Sequence, residues 1–439
     1  MFVLQLHFFT GNSHLQRQSA VTIQTGTMVV LEDSLKWAHL RGSTIKDQLR
    51  KLRKDLFDGN YFPMLENFLM IPGVCLSPEM KPWKRRVCRT INVISVLQIA
   101  LTIGTWKRNP DVLQIAWYVL KVFGVTTCSL KVLMLMRFAE PIRRVQSYIM
   151  SKSTVADVEQ YEAVVRKKFG RSVQSLIVAI LTMVIIDVVT ICVPNSQRNK
   201  LLAIPSFCLV FGSLCYETLH CLYIFFVPLI WIPMYLSYPL VMGILLTGLR
   251  TELQILQHRI ESLVHRTKPE LFQDDYWKQL KNVVRDLVMQ QQDLFRHFQI
   301  VRQLVGIGFF ISYHFAIFFI GAMLFFAKMQ NVAFFLVFML STFMIVIFEC
   351  YCWCHLVDSL GNVLDAIGQN IYWLCTTLPY SHEHHSEFVA MRTSLMIILM
   401  NTRRGAQVNC LGMFRICFEK FVSLCNTSYT VFTFFISMR

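Results

Sequence analysis

Residues 426–439, NTSYTVFTFFISMR, end an apolar segment in which no residue from 421 to 438 carries a formal charge. A helix needs about 17–25 predominantly apolar residues to cross the hydrocarbon layer of a membrane. In a soluble domain such a run would have to be buried on every side, whereas lipid accepts it directly. We therefore predict that this segment is a membrane-spanning helix, and the prediction sets the fold class of the chain.

The composition extends this conclusion to the rest of the sequence. Of its 439 residues, 54% are hydrophobic and 16% are charged, whereas about 25% of the residues in a soluble domain are charged. The net charge of +16 needs no nucleic-acid partner, because Lys and Arg concentrate in the cytoplasmic loops of membrane proteins. We predict an all-α, polytopic membrane protein.

Seven segments are apolar and long enough to cross a membrane. The second qualifies if Lys121 and Lys131 are tolerated within it, and the third contains Asp187. The seven segments are 90–106, 111–136, 172–193, 222–247, 303–327, 329–348 and 421–438.

The distribution of basic residues gives the orientation. Segment 201–249 could hold one span or two. With one span there, 33 of the 43 Lys and Arg residues fall on the side of the N-terminus and six on the opposite side. Because basic residues favour the cytoplasm, we predict one span, an inside N-terminus and an outside C-terminus. This orientation is opposite to that of G-protein-coupled receptors and argues against that class.

The predicted layout alternates membrane and cytoplasmic segments. Residues 1–89 form a cytoplasmic N-terminal segment that includes an amphipathic helix before the first span. The remaining segments are 90–247 with spans 1 to 4 and an outer loop at 194–221, 248–302 with cytoplasmic extensions of spans 4 and 5, 303–356 with spans 5 and 6, 357–412 with a cytoplasmic segment and the first part of helix 7, and 413–439 with span 7.

The inner segments have helical periodicity of their own. After Pro269, apolar residues recur at steps of three and four, which predicts a helix with one apolar stripe that continues into the fifth span. Together with the inner segments 249–263 and 393–402, this helix predicts a packed cytoplasmic helical layer. The stripe is Trp277, Leu280, Val284, Leu287, Leu294, Phe298 and Val301, with Gln291 in the vacant position.

Residues 401–435, NTRRGAQVNCLGMFRICFEKFVSLCNTSYTVFTFF, resemble the C-terminal signature of insect odorant receptors. The resemblance includes a Glu-x-Phe step at Glu419 and Phe421 and a Ser-Tyr pair at Ser428 and Tyr429. Upstream, FPMLENFLMIPGVCLSP at 62–78 resembles the amphipathic segment that precedes the first span in that family.

Several positions depart from the family pattern. A Gln, at position 290 or 291, stands where an inner-helix His is common, and Trp373 stands in for a Trp expected elsewhere. Phe435 occupies the position of a Gln in the related gustatory receptors, which favours the odorant branch and leaves a gustatory receptor as the alternative. The loop 248–303 is shorter than in the shared odorant co-receptor, so the chain resembles an odour-specific tuning subunit.

The resemblance implies a function. Members of the family form heterotetrameric, ligand-gated, non-selective cation channels with the co-receptor, in the plasma membrane of olfactory sensory neuron dendrites. It implies a pore lined by the seventh span, subunit contacts in the cytoplasmic layer, and a pocket for a small volatile apolar ligand in the outer half of the bundle, among spans 2, 3, 4 and 6.

Residues at the corresponding depth are the ligand-binding candidates. Lys121 and Asp187 have opposite charges at similar depth, and charges in hydrocarbon usually pair or face water, so we expect them to pair across spans 2 and 3 at the floor of the pocket. The candidates are Trp117, Tyr118, Lys121, Asp187, Thr190, Tyr223, Trp231, Phe335 and Phe338.

Near the outer end of the seventh span, four apolar residues lie near one helical face. Apolar side chains around an axis can close a pore by excluding water. The gate candidates are Val431, Phe434, Phe435 and Met438.

Other chemistries find little support in the sequence. We find no clustered catalytic set, and we predict no enzyme activity and no cofactor. His382, His384 and His385 are interpreted as a solvated loop rather than a metal site. A transporter, the less favoured alternative, would show paired broken helices, whereas the prolines at 228, 233 and 239 lie in one span only.

The orientation can be tested directly. An epitope fused after Arg439 should be stained by antibody in intact cells, because seven spans from an inside N-terminus place that end outside. A matching epitope before Met1 should be stained only after permeabilisation. Staining of the Arg439 epitope only in permeabilised cells would contradict the predicted orientation.

Overall fold

The computed structural model describes residues 62–76, 81–105, 112–153, 160–193, 202–205, 212–266, 274–329, 333–378, 382–405 and 407–437, and single residues between them. Most of the predicted N-terminal segment 1–89 therefore lies outside the described residues. The described chain is almost entirely helical, in agreement with the predicted all-α fold.

Ten helices and one short hairpin make up the described chain. Helices α1 and α4 are short and lie outside the predicted spans, whereas α6, α7 and α8 are each long enough to cross a membrane and continue beyond it. The elements are α1 (Phe62–Met70), α2 (Pro82–Ile103), α3 (Val112–Arg137), α4 (Ala139–Ser153), α5 (Gln160–Cys192), α6 (Ser213–Arg266), α7 (Asp274–Met329), α8 (Ala333–Thr377), α9 (His385–Gly405), β1 (Asn409–Cys410), β2 (Phe414–Arg415) and α10 (Phe418–Ser437).

Within the described residues, six helices are long and apolar enough to cross a membrane: α2, α3, α5, α6, α7 and α8. They correspond to the first six predicted spans, and the protein is a multi-pass membrane protein. Helix α10 covers the seventh, but its first turn carries Glu419 and Lys420. Its passage through the membrane, and with it the count of seven and the orientation, stays a prediction.

Helix α6 corrects one predicted boundary. The segment 194–221 was expected to be an outer loop, but α6 begins at Ser213 and runs to Arg266 as one helix. It contains Pro228, Pro233 and Pro239, which neighbouring helices and side chains can accommodate in a membrane bundle. Glu217 interrupts the uncharged run without ending the helix, because helix formation depends on backbone hydrogen bonds and not on the absence of charge.

The helix predicted after Pro269 is present and continues into the fifth span as α7 without a break. The apolar stripe faces the core: Trp277, Leu280, Val284, Leu294, Phe298 and Val301 are buried and Leu287 is partly buried. Gln291, in the vacant position of the stripe, is also buried, and its Nε2 donates a hydrogen bond of 2.5 Å to Thr402 Oγ1 of α9. This bond satisfies a polar group that would otherwise be costly to bury.

Charged side chains join the inner parts of three helices. Arg259 of α6 forms an ion pair with Glu162 of α5 and donates a hydrogen bond of 2.8 Å to Gln290 Oε1 of α7. Arg166 of α5 lies 3.5 Å from Glu252 of α6. Glu162 and Glu252 are largely buried, so these polar contacts tie α5, α6 and α7 to one another.

The β1–β2 hairpin connects α9 to α10. Its turn contains Leu411 with a φ of 49° and Gly412 with a φ of 80°, and the left-handed region favours glycine. The hairpin backbone lies directly on α7, since a Cβ at Gly306 would come within 2.7 Å of Asn409 O. Only glycine permits this approach, which fixes the start of α10 against the bundle.

Helix α10 lies along α7. Its first backbone N–H groups are unpaired within the helix, and the amide of Phe418 donates a hydrogen bond of 2.8 Å to Asp358 Oδ2 of α8. Further along, a Cβ at Gly321 of α7 would come within 2.7 Å of Val431 Cγ1. One face of α10 is therefore held against α7, and the opposite face is exposed in the isolated chain.

Candidate functional site

A cavity of about 160 Å³ lies between the five helices α3, α5, α6, α7 and α8. The sequence predicted a pocket among spans 2, 3, 4 and 6, and α7, the fifth span, adds a wall to these. The lining residues are Trp117, Leu120, Lys121, Gly124, Cys128, Asp187, Ile191, Leu202, Val227, Pro228, Trp231, Ile232, Tyr235, Phe315, Phe319, Met323, Thr342, Ile345 and Val346.

The dimensions and lining of the cavity suit a small molecule. A cavity of about 150 Å³ lined by apolar side chains is large enough to take up benzene. Aromatic and aliphatic groups form most of this wall, with few polar groups, as in most sites for small molecules. The cavity can therefore hold a ligand about the size of one substituted ring.

Two charged residues border the cavity. Asp187 of α5 is 1% exposed, and neither of its carboxylate oxygens has a hydrogen-bond partner among the described residues, although the Ser341 hydroxyl of α8 faces the carboxylate. Lys121 Nζ of α3 lies 3.4 Å from Thr105 Oγ1. The two residues thus border the same cavity, as expected, but the expected direct hydrogen-bonded pair between them is not formed.

Trp117 and Trp231, two other predicted ligand-binding residues, also line the cavity. The Trp117 ring meets the Phe326 ring edge to face, with 5.6 Å between centroids. Such pairs hold an aromatic side chain in one orientation, so this wall is preorganised.

Three predicted ligand-binding residues lie elsewhere. The Tyr118 hydroxyl donates to Ile103 O at 3.1 Å, and the Thr190 hydroxyl donates to Ile186 O of its own helix at 2.8 Å. The hydroxyls of Tyr223 and Thr102 lie 3.0 Å apart in a second, smaller core. The position of a residue along a span gives its depth in the membrane but not the rotation of the helix. It therefore cannot distinguish these three residues from residues of the cavity wall. The side chains of Phe335 and Phe338 lie outside the described residues.

Sequence reasoning missed the wall contributed by α7. Phe315, Phe319 and Met323 lie four residues apart and share one face of that helix. The spacing was visible in the sequence, but every face of the fifth span is apolar, so no pattern distinguished the cavity side from the others. Tyr235 of α6 was missed for the same reason.

A buried ion pair lies next to the cavity floor. Lys131 of α3 and Glu349 of α8 are 0% and 1% exposed in their side chains, and Lys131 Nζ lies 2.7 Å from Glu349 Oε1 and 2.9 Å from Oε2. Glu349 Oε1 also accepts hydrogen bonds from Ser312 of α7 at 2.6 Å and from Trp353 Nε1 at 3.2 Å. The pair is therefore well satisfied, as a charge in hydrocarbon must be.

Tyr235 connects the pair to the cavity. Lys131 Nζ lies 3.4 Å from the centre of the Tyr235 ring, and Tyr235 lines the cavity floor. An ammonium group over an aromatic ring is attracted by the ring face. One polar cluster thus joins α3, α6, α7 and α8 under the cavity. No pattern in the sequence indicates a partner for Lys131, because Glu349 lies 218 residues further along the chain. Lys131 was therefore expected only to be tolerated within its span.

The gate candidates on α10 divide into two groups. Val431 packs at Gly321, and the Phe435 ring lies 5.9 Å from Phe318 and 5.7 Å from Phe325, all on α7. Phe434 is 59% exposed and faces away from the chain. Met438 lies outside the described residues. Val431 and Phe435 thus lie on the side of α10 that contacts α7, and Phe434 is the described candidate on the exposed side.

A second cavity, of about 1350 Å³, lies between the N-terminal half of α7 and α9. It is far larger than a volatile molecule and is lined by solvated charges, so we do not assign the ligand to it. Its exposed Glu387 has a lowered carboxyl pKa because the Ser386 hydroxyl donates to it. The basic residues on its wall are Lys278, Lys281, Arg285, Arg296 and Arg302.

No group of three or more His, Cys, Asp or Glu side chains is placed to hold a metal ion in the part of the chain that the structure describes. His382, His384 and His385 belong to the segment before and at the start of α9. There the His382 and His385 rings pack against Tyr380, and the His384 ring lies near Trp277.

The helices around the cavity belong to the part of the chain that matches a known protein family. The family model described as 7tm Odorant receptor matches residues 111–429, which include all five helices around the cavity and most of α10. No curated protein matches the chain.

Two solved structures have a similar fold. The insect olfactory receptor OR5 from Machilis hrabei in complex with eugenol superimposes with a TM-score of 0.69 at 12% sequence identity, and the match covers 88% of this chain and 100% of that one. The same receptor described without eugenol gives a TM-score of 0.67 at 11% identity, covering 88% and 99%. At such low identity the likeness shows the fold alone.

The buried ion pair makes a prediction about stability. Lys131→Met should lower the stability of the purified protein by about 3–5 kcal/mol, because Glu349 would keep a buried charge without its partner. The double variant Lys131→Met/Glu349→Leu should recover most of that loss. Thermal unfolding midpoints in detergent measure both effects.

Lys281→Met, which removes an exposed Lys from the inner part of α7, is the matched control and should leave the midpoint almost unchanged. If Lys131→Met unfolded at the same temperature as this control, the pair would have no structural role.

Proposed function

The chain belongs to the 7tm odorant receptor family, and from this premise we propose that it is the odour-specific subunit of a ligand-gated, non-selective cation channel formed with a shared co-receptor. It would act in the plasma membrane of olfactory sensory neurons, in the dendrite. The family and the fold are those of receptors and not of enzymes.

The observation that carries the proposal is the cavity between α3, α5, α6, α7 and α8. It is lined mainly by apolar and aromatic groups, as a site for a volatile molecule should be. Burying roughly 300 Å² of apolar ligand surface at about 25 cal/mol per Å² would contribute roughly 7 kcal/mol. After the cost of immobilising the ligand, the affinity would be micromolar or weaker, which suits a graded response to odour concentration.

Helix α7 supports a route from the cavity to a pore. Phe315, Phe319 and Met323 face the cavity, while on the adjacent face Phe318, Gly321 and Phe325 contact α10. A ligand that displaces the first set must also move the second, because both belong to one rigid helix. We therefore propose that ligand binding opens the channel through α7 and α10.

The exposed face of α10 would line the ion path. It presents Asn426, Tyr429, Thr430, Thr433 and Phe434, with no charged residue in this part of the helix. Selective cation pores use rings of carboxylates or carbonyls, so hydroxyl, amide and aromatic groups favour weak selectivity. Phe434 is the gate residue that the exposed face supports, and Val431 and Phe435 would hold α10 to α7.

The alternatives predict different measurements. A gustatory receptor of the same superfamily would give ligand-evoked current without the odorant co-receptor and in response to non-volatile compounds. A transporter would accumulate its substrate without channel current. The odorant receptor should give current only when co-expressed with the co-receptor, and without added nucleotide or G protein.

The experiment measures odour-evoked current in cells that express this chain and the co-receptor. Gly124 lines the cavity, where a Cβ would meet only Phe315 at 3.9 Å, so Gly124→Val should fold and occupy part of the cavity. We expect it to raise the half-maximal concentration of ring-sized agonists about tenfold or more, since overpacking costs about 1–3 kcal/mol.

Gly170→Val is the matched control, because a Cβ at Gly170 of α5 meets nothing within 4 Å. It should leave the half-maximal concentration unchanged. Equal shifts in the two variants would argue against this cavity as the ligand site, and the absence of any odour-evoked current from the wild-type pair at the cell surface would contradict the proposed function.

A further inference from the structure

Asp187 is unusual among the residues around the cavity. It is 1% exposed, and both of its carboxylate oxygens are shielded from solvent. Neither oxygen accepts a hydrogen bond of normal geometry from the described residues, although the Ser341 hydroxyl of α8 faces the carboxylate. An apolar side chain at this position would complete the apolar wall without the free-energy cost of burying a carboxylate. Burying a carboxylate without hydrogen bonds is strongly unfavourable, so a group that occupies the cavity and donates to Asp187 would be bound preferentially.

We propose that Asp187 determines ligand class in this receptor by accepting a hydrogen bond from the hydroxyl group of a small, uncharged, ring-sized alcohol or phenol. The inference rests on the proposed function of the cavity and adds the chemistry by which it selects its ligand. The apolar wall binds the hydrocarbon part of the ligand, and Asp187 accepts the hydrogen bond from its hydroxyl group.

The charge of the wall favours an uncharged ligand. Lys121 lines the same cavity as Asp187, so the two formal charges cancel. A protonated amine would be attracted by Asp187 but repelled by Lys121, and a carboxylate would meet the reverse arrangement. A hydroxyl group brings no charge, and it can donate to the carboxylate while its oxygen accepts from a neighbouring donor.

The adjacent Lys131–Glu349 pair does not compete for the ligand. Glu349 already accepts from Lys131, Ser312 and Trp353, and its side chain is not part of the cavity wall. Asp187 is therefore the carboxylate in this region with unused acceptor capacity.

Matched pairs of ligands separate the effect of the donor from that of shape. An ether has the oxygen of the alcohol but no hydrogen to donate. When an ether fills the cavity it displaces any water from Asp187 and leaves the carboxylate without a donor, which costs affinity. Sites that bind a hydroxyl group by hydrogen bonding reject analogues without it much more strongly than apolar pockets reject a missing methylene.

The test records dose–response curves from cells that express this chain and the co-receptor, with benzyl alcohol against benzyl methyl ether and cyclohexanol against methoxycyclohexane. The wild type should prefer each alcohol to its ether by about tenfold or more in half-maximal concentration, as expected for a hydrogen bond to a charged group. Asp187→Leu should lose the preference by weakening the alcohol response, with the ether response kept or improved.

Two further variants control for folding and for charge. Asp187→Asn keeps an acceptor oxygen and the side-chain shape, so it should keep part of the preference. Asp286→Asn makes the same chemical change at an exposed position of α7 and should keep all of it. Surface labelling normalises the currents of all four proteins.

The outcomes test the role of Asp187 separately from the proposed function. Equal sensitivity of the wild type to alcohols and ethers, or an equal loss of both responses in Asp187→Leu at normal surface levels, would overturn the role of Asp187 and leave the proposed function standing. A wild-type pair that reaches the surface and responds to none of the four compounds, nor to a wider panel of volatiles, would overturn the proposed function and this inference with it.

Discussion

The cost of placing charge in hydrocarbon is the constraint on which this structure depends. Lys131 and Glu349 lie on α3 and α8, and neither could remain charged within a bundle without the other. Their pairing, with the hydrogen bond from Ser312 of α7 and the ring of Tyr235 of α6, sets four helices in register. The cavity lies immediately beside this cluster and shares Tyr235 with it. The polar cluster therefore fixes both the rotation of the helices and the floor of the site.

Helix α7 connects the cavity to α10. One face forms the cavity wall, the next face holds α10 through Gly321 and Phe325, and the N-terminal half carries the buried apolar stripe. A helix packed on three sides transmits displacement as a unit because close-packed interiors deform little. The proposed channel thus needs no separate coupling element between its ligand site and α10.

The elements that sequence could predict are those with local patterns. The buried stripe from Trp277 to Val301, the unbroken passage of α7 into its span and six of the membrane helices follow from periodicity and hydropathy. Within the candidate site, Trp117, Lys121, Asp187 and Trp231 follow from depth. Patterns along the chain do not give the rotation of a wholly apolar helix. This explains why Tyr223 and Thr190 were expected at the cavity and Phe315 was not, and why Val431 packs on Gly321 instead of facing outward.

The contacts that were not predicted join residues far apart in sequence, such as Lys131 with Glu349 and Gly306 with Asn409.

The central claim is that a small odorant occupies the cavity between α3, α5, α6, α7 and α8. A cryo-electron microscopy structure of this chain assembled with the co-receptor, determined with and without a saturating agonist, tests it most directly. We predict ligand density between Trp117, Trp231 and Phe319 beside Asp187, with α7 and α10 displaced together. Density for the agonist at the cavity between α7 and α9 or between subunits, with this cavity unchanged, would contradict the claim.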